Sequence, residues 1–387
     1  MRVIRLLMCC LLAGLAAGCQ ARPPQATPAV PWPTVRETLT VSTVAGSGRV
    51  GDLGGGYRDG PALQAEFRRP AALAMDTAGN LYIADEKNHR IRVLSPDRTV
   101  STLAGSGPTG AMGGGYADGP ADVARFADPT GLCLALDGAL FVTDSDNQRI
   151  RRVAADGTVS TWAGSGACVR PFGDYADGPR EQAQFSRPHD VAVDDQGNLY
   201  VADYFNNAIR RIGSDGQVST LAGNGLPGHR DGSGTAAQLA YPNRLVFRAG
   251  VLYLTEGHSR DMWETESGNY LRRLTLQGRV STVAGSGTAG YADGPVASAR
   301  FDTPMGVDVD AQGNLYVSEY LGHCIRMVSP AGQVSTLAGT CGVEGYQDGP
   351  ATTALFSHPS DVLVSAGEHV LYVADLGNHR IRTVTLP

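Results

Sequence analysis

The chain has 387 residues, a formal net charge of −6, 42% hydrophobic residues and 18% charged ones. That is enough apolar material for a large folded domain and too little charge for a disordered one, and the acidic balance argues against a nucleic-acid surface. Fifty glycines are spread periodically along the chain, which points to an all-β protein with many turns.

Residues 1–19 read MRVIRLLMCCLLAGLAAGC, two arginines ahead of an apolar run of secretory-signal length. The run is short for a membrane span. Its end, LAAGC, resembles a bacterial lipoprotein lipobox, with Ala16 where leucine is more usual. The resemblance implies a signal peptide over 1–18 and acylation of Cys19 as the mature N-terminus. The other reading is an ordinary signal peptide cleaved nearby. Acyl chains contribute about 0.8 kcal/mol per buried methylene, so two or three would hold the protein on a membrane. Gln20, where aspartate would suggest inner-membrane retention, implies by the same resemblance the outer membrane of a bacterial envelope. Residues 19–38 carry five prolines and no apolar periodicity, and are expected to form a lipidated tether.

From there the chain repeats. VSTVAG at 41–46 returns in close variants at 100, 159, 218, 280 and 334, at spacings of 59, 59, 59, 62 and 54 residues. The third unit shows the plan: strands HDVAVD (189–194), LYVAD (199–203), AIRRIG (208–213) and VSTLAG (218–223), separated by DQGN and SDGQ turns. A four-stranded meander of this size must stack on copies of itself. The last unit has only three strands, DVLVSA (361–366), VLYVAD (370–375) and IRTVTL (381–386). Its missing outer strand is the first VSTVAG. Residues 39–387 are therefore predicted to form a six-bladed β-propeller of four-stranded antiparallel blades, closed by strand 41–46, and not an open solenoid.

The stretches GNLYIADEKNHRIRVL, GNLYVADYFNNAIRRI and HVLYVADLGNHRIRTV resemble NHL repeats, of the long-loop kind with a GYxDGPxxxAxF connector. The resemblance implies a propeller that serves binding in some proteins and catalysis in others, a choice that fold alone does not make.

A site for one ligand needs its residues once, so features copied six times are expected to serve the ring. An acid ends each second strand (Asp85, Asp144, Asp203, Glu256, Glu319, Asp375) and an arginine follows in each third strand (Arg92, Arg151, Arg210, Arg272, Arg326, Arg382). These are expected to pair within each blade. The connector aspartates Asp59, Asp118, Asp177, Asp293 and Asp348 are expected to cap a short helical turn, with Phe67 and its equivalents pointing inward.

Departures from the repeat mark candidate function, on the face that carries the long loops. At the channel mouth these are His189, Asp190, Asn243, Arg244 and Asp361; a water-bridged polar rim is the plainer reading. In blade four the loop 256–270 expands and carries Glu256, His258, Asp261 and Trp263, either an anchor for a partner or an insertion folded back on itself. Three convergent histidines for zinc are not in place. Calcium is the possible cofactor, with Asp190, Asn243, Glu256 and Asp361 as oxygen donors and Arg244 as a repelling neighbour. No HExxH, phosphate loop or GxSxG motif occurs. Cys324 and Cys341 fall on antiparallel neighbours and are expected to form a disulfide; Cys133 is expected to be a buried thiol.

The resulting expectation is a monomeric, envelope-anchored binding or scaffolding propeller for a protein or glycan partner. The alternative is a channel-mouth enzyme, calcium-dependent and lactonase-like or metal-dependent and lyase-like.

Overall fold

The computed structural model describes residues 36–386 apart from 37, 49–53, 111–112, 167–173, 258–267, 366 and 368. Six antiparallel sheets form the six blades, with inner strands Pro70–Met75, Pro129–Leu134, Pro188–Val193, Pro242–Arg248, Pro304–Val309 and Pro359–Val364. Each inner strand neighbours the next, and the sixth neighbours the first, so the ring is closed. The closing strand Thr40–Ala45 pairs with Arg380–Thr385, Val41 opposite Val384, and completes blade six. Leu39, Val41 and Ala45 are buried there. Among the described residues no helix is long and apolar enough to cross a membrane.

Blade three shows why the repeat folds as it does. Leu199–Asp203 is buried along its whole length between its neighbours. The hairpin before it is held by Asp194, whose Oδ1 accepts the backbone N–H groups of Gln196 and Asn198 at 2.9 and 2.8 Å. Its Oδ2 accepts Asn198 Nδ2 and Tyr200 Oη. This turn needs φ +80° at Gly197, which glycine adopts without strain.

The repeated acid and arginine do pair, and each arginine takes two acids. Arg210 is fully buried and donates through Nη1 to Asp203 at 2.7 Å and through Nη2 to Asp177 at 2.6 Å. It also donates to the carbonyls of Gln184 and Ala176. The same carboxylate–guanidinium–carboxylate lock recurs at Arg92, Arg151, Arg272, Arg326 and Arg382.

This corrects the reading of the connector aspartates as helix caps. Gly178–Pro179 is a short fifth strand paired with Gln217–Ala222, and Asp177 beside it binds Arg210 and the N–H of Thr220. A single helical turn does follow, closed by Gln182 and Ala183 N–H groups on the Pro179 carbonyl, but Asp177 is not its cap. Phe67, Phe126, Phe185, Phe301 and Phe356 are fully buried.

A second six-fold device joins neighbouring blades. After each second strand one residue adopts a left-handed conformation: His89, Gln148, Asn207, Asn269, His323 and His379. The side chain of each accepts the N–H of the residue preceding the next blade's opening proline: Asp128, Arg187, Tyr241, Thr303, His358 and Arg69. Those six residues also have positive φ, 49–58°.

Cys324 and Cys341 are joined by a disulfide with a Cα separation of 5.0 Å. Cys133 is half-buried and lines the channel, and is not sealed in the core as expected. Burial and the nearby Asp190 charge push its thiol pKa upward.

Candidate functional site

The opening residues of each inner strand meet around the axis, and a bulge decides which way they face. Pro188 pairs with Asp203 and Asp190 with Ala202, so His189 is an extra residue between two ladder positions. His189 is therefore turned to the mouth, and Asp190 lines the cavity below. The same register shift follows Pro242, Pro304 and Pro359.

Arg244 crosses the channel. It starts on blade four, is 3% exposed, and donates through Nη2 to the Ala71 carbonyl of blade one at 2.6 Å. Its Nη1 donates to the His189 carbonyl at 3.1 Å. Asp190 and Asp361, from blades three and six, each approach the guanidinium to 3.9 Å. Burial pushes the Asp190 carboxyl up to about 7 and the Asp361 carboxyl up to about 6, with Arg244 opposing both shifts.

This layer separates two cavities. The lower one, about 240 Å³, has Leu73, Leu132, Val191, Leu245 and Leu363 on its walls with Asp190, Asp308 and Asp361. The three aspartates hold neighbouring blades together: Asp190 accepts Leu245 N–H, Asp308 accepts Val364 N–H and Asp361 accepts Leu73 N–H. Burial pushes Asp308 up to about 7.

The upper cavity, about 230 Å³, opens on the long-loop face. Arg69, Arg187, Glu86 and Tyr320 line it with His189, Tyr204, Phe205, Asn243 and Arg244. His189 stacks on Tyr204 with ring centres 3.9 Å apart. Asn243 Nδ2 donates to the Gly257 carbonyl at 2.7 Å, which leaves Oδ1 to accept His189 Nδ1–H at 3.2 Å. That bond makes Nε2 the basic nitrogen of the ring.

The sequence-derived mouth set is thus split. His189, Asn243 and Arg244 do line the mouth. Asp190 and Asp361 do not; they face the lower cavity and the underside of Arg244. Glu256 is also withdrawn from the binding loop: it is fully buried, accepting Arg272 Nη1 at 2.7 Å and the Ala240 N–H at 3.3 Å. His258, Asp261 and Trp263 lie outside the described residues, as does Cys19.

The donors do not suit calcium. Glu256 is tied to Arg272, Asn243 Oδ1 to His189, and Asp190 and Asp361 flank a cation the chain itself supplies. Among the described residues no cluster of three His, Cys, Asp or Glu side chains is placed to hold a metal.

The Teneurin NHL domain profile matches residues 159–355, half of the chain, and the NHL repeat profile matches 67–94. The chain belongs to the NHL-repeat propeller family. It is similar to NHL repeat-containing protein 2 of Bos taurus, 26% identical over 352 residues, covering 82% of this chain and 46% of that protein. The chain spans less than half the length of the curated relatives it matches. Among solved structures an auxiliary nutrient binding protein from Bacteroides thetaiotaomicron superposes with a TM-score of 0.65 at 18% identity, covering 89% of this chain and 76% of that one. A gluconolactonase from Xanthomonas campestris superposes at 0.53 and 15% identity, covering 89% and 98%. At such identities the likeness is one of fold.

Within this NHL propeller the sequence reading missed Arg69, Glu86, Arg187, Tyr204, Phe205 and Tyr320. A signal for most of them was present. The residue after each second-strand acid is Glu86, Ser145, Tyr204, Gly257, Tyr320 or Leu376, and the residue before each opening proline is equally varied. Positions whose side chains change this freely inside a strict repeat are ones where the ring does not fix the side chain's identity.

Proposed function

We propose that the chain is a binding propeller that receives its ligand in the upper cavity on the long-loop face. The single observation that carries this is the preformed mouth, where unrepeated side chains from several blades converge above a channel closed by Arg244. Pockets of this kind, with aromatic walls and a few fixed polar groups, are suited to ligand recognition. Lipid attachment at Cys19 and a Pro-rich tether would hold the propeller in a bacterial envelope, facing a glycan or protein partner. The binding role has a counterpart in the nutrient binding protein that shares the fold.

The test is a thermal-shift and calorimetric screen of the purified full chain against envelope glycan fragments and short peptides. A true ligand raises the melting temperature of the wild type and loses that effect in Asn243→Ala, which removes a mouth group outside the arginine locks. If no ligand depends on Asn243, the mouth is not the site.

A second reading, turnover at the mouth, is favoured by the orientation of His189, whose Nε2 is set up as a base by Asn243. Turnover separates the two: consumption of a bound ligand by the wild type that is lost in His189→Ala while binding persists favours the enzyme over the binding module.

A further inference from the structure

Among the described residues the charges lining the upper cavity are not balanced. Of the charged side chains among the described residues lining the upper cavity, three are arginines (Arg69, Arg187, Arg244) and one is an acid, Glu86. Arg244 is answered from below by Asp190 and Asp361, each at 3.9 Å. Glu86 is answered by Lys87 at 3.0 Å and Arg69 at 3.7 Å, and Lys87 also contacts Asp128. Arg187 is left with Asp146, a half-exposed carboxylate 3.7 Å away. The local field registers this surplus: burial alone would raise the Glu86 carboxyl, yet the charges of Lys87, Arg69 and Arg187 hold it below its ordinary value.

Arg187 meets Asp146 only at ion-pair distance, with Nε 3.7 Å from the carboxylate. Carboxylates and phosphates match the guanidinium fork, so an anion entering the mouth could be gripped by direct hydrogen bonds there.

The walls describe the rest of the ligand. The His189–Tyr204 stack, Phe205 and Tyr320 surround the arginines with flat apolar faces, and Tyr320 Oη accepts a bond from Arg69 Nη2 at 3.1 Å. The cavity, about 230 Å³, has room for one small ring.

We propose that the mouth takes a small anion carried on a ring-shaped body, a sugar acid or sugar phosphate, with Arg187 and Arg69 on the anion and the aromatic walls on the ring. This rests on the mouth being the binding site and specifies what it selects. Arg187 enters the inter-blade staple through its backbone N–H alone, and among the described residues its side chain pairs only with the half-exposed Asp146 at 3.7 Å, a pair that a better-placed anion could replace.

The experiment is isothermal calorimetry on the full chain in detergent with three probes: D-glucuronate, D-glucose 6-phosphate and D-glucose. At least one anionic probe is expected to bind about tenfold more tightly than glucose, and which one does separates the carboxylate from the phosphate. Raising the salt should weaken the anion and leave glucose alone. Arg187→Gln should remove the tenfold preference without moving the unliganded melting temperature, and Arg187→Lys should restore part of it. The inference is overturned if glucose binds as well as both acids, if anion binding ignores Arg187→Gln, or if neither acid binds up to about 10 mM. Binding of glucose that needs Asn243 but not Arg187 would preserve the mouth as the site while removing its anion selectivity.

Discussion

Replacing Arg210 by methionine should unsettle the ring far more than the same change at its neighbour Arg211. Arg210 is fully buried and satisfies Asp203, Asp177 and the carbonyls of Gln184 and Ala176 at once. Removing one partner of a buried ion pair costs about 3–5 kcal/mol, because the other charge stays buried without compensation. Asp203 is fully buried and would be that charge, so the expected loss is about 4 kcal/mol. With an unfolding entropy of about 2.1 cal/mol/K per residue, a propeller of this length would melt roughly 5–6 °C lower. Arg211 lies on the opposite face of the same strand and donates to Asn198 Oδ1. Its loss should cost about 1 kcal/mol or less. Guanidinium denaturation of the two variants, with Arg210→Lys as a third, provides the comparison. Lysine keeps the charge but lacks the two-armed fork, so it should recover only part of the loss. Equal midpoints for Arg210→Met and Arg211→Met would refute the lock as a source of stability.

Three further outcomes are expected. Cys324→Ser opens a disulfide across 17 residues, and chain-entropy reasoning puts the cost at about 3 kcal/mol; a reducing agent should lower the wild-type melting temperature and leave the variant's unchanged. His89 and His323 accept backbone N–H bonds through Nδ1, and burial lowers the pKa of each below 6.5. The unfolded chain then binds more protons below pH 6.5, so this stability is complete above that pH and declines as pH falls toward the folded-state values. Because Asn207 and Asn269 make the same bond in other blades, His323→Asn should keep the staple and flatten the acid limb of a melting-versus-pH curve. Cys19→Ala should abolish incorporation of labelled palmitate and release the protein from membranes; unchanged labelling would place the anchor elsewhere, and a wild type that takes up no label would remove it.

The fold was legible because it is written six times. The offset VSTVAG announced a borrowed strand, and Val41 opposite Val384 is that strand in place. The acid and arginine of each blade could be paired from repetition alone, but their third member was misassigned: an aspartate before Gly-Pro looks like a helix cap, and only the fold brings Asp177 onto Arg210. The staples were hidden for a different reason. Histidine, glutamine and asparagine look unrelated in sequence; what they share is a side-chain acceptor on a residue tolerated at positive φ. Asp190 and Asp361 were placed at the mouth because they begin their strands. In blade three the bulge after the opening proline turns His189 up to the mouth and leaves Asp190 facing down, a one-residue effect that strand periodicity does not reveal.

The staples also explain why the mouth can vary. At Arg69, Asp128, Arg187, Tyr241, Thr303 and His358 the staple itself is made by the backbone: a positive φ and one N–H donated to the previous blade. Any non-glycine residue there bears a strain of order 1 kcal/mol, whatever its side chain. The staple therefore constrains the main chain and not the identity of the side chain, at a position that two of the mouth's arginines occupy. Arginine lock and mouth then respond to substitution in opposite ways. A change at Arg210 alters melting with little reason to alter selectivity, whereas a change at Arg187 alters selectivity with little reason to alter melting.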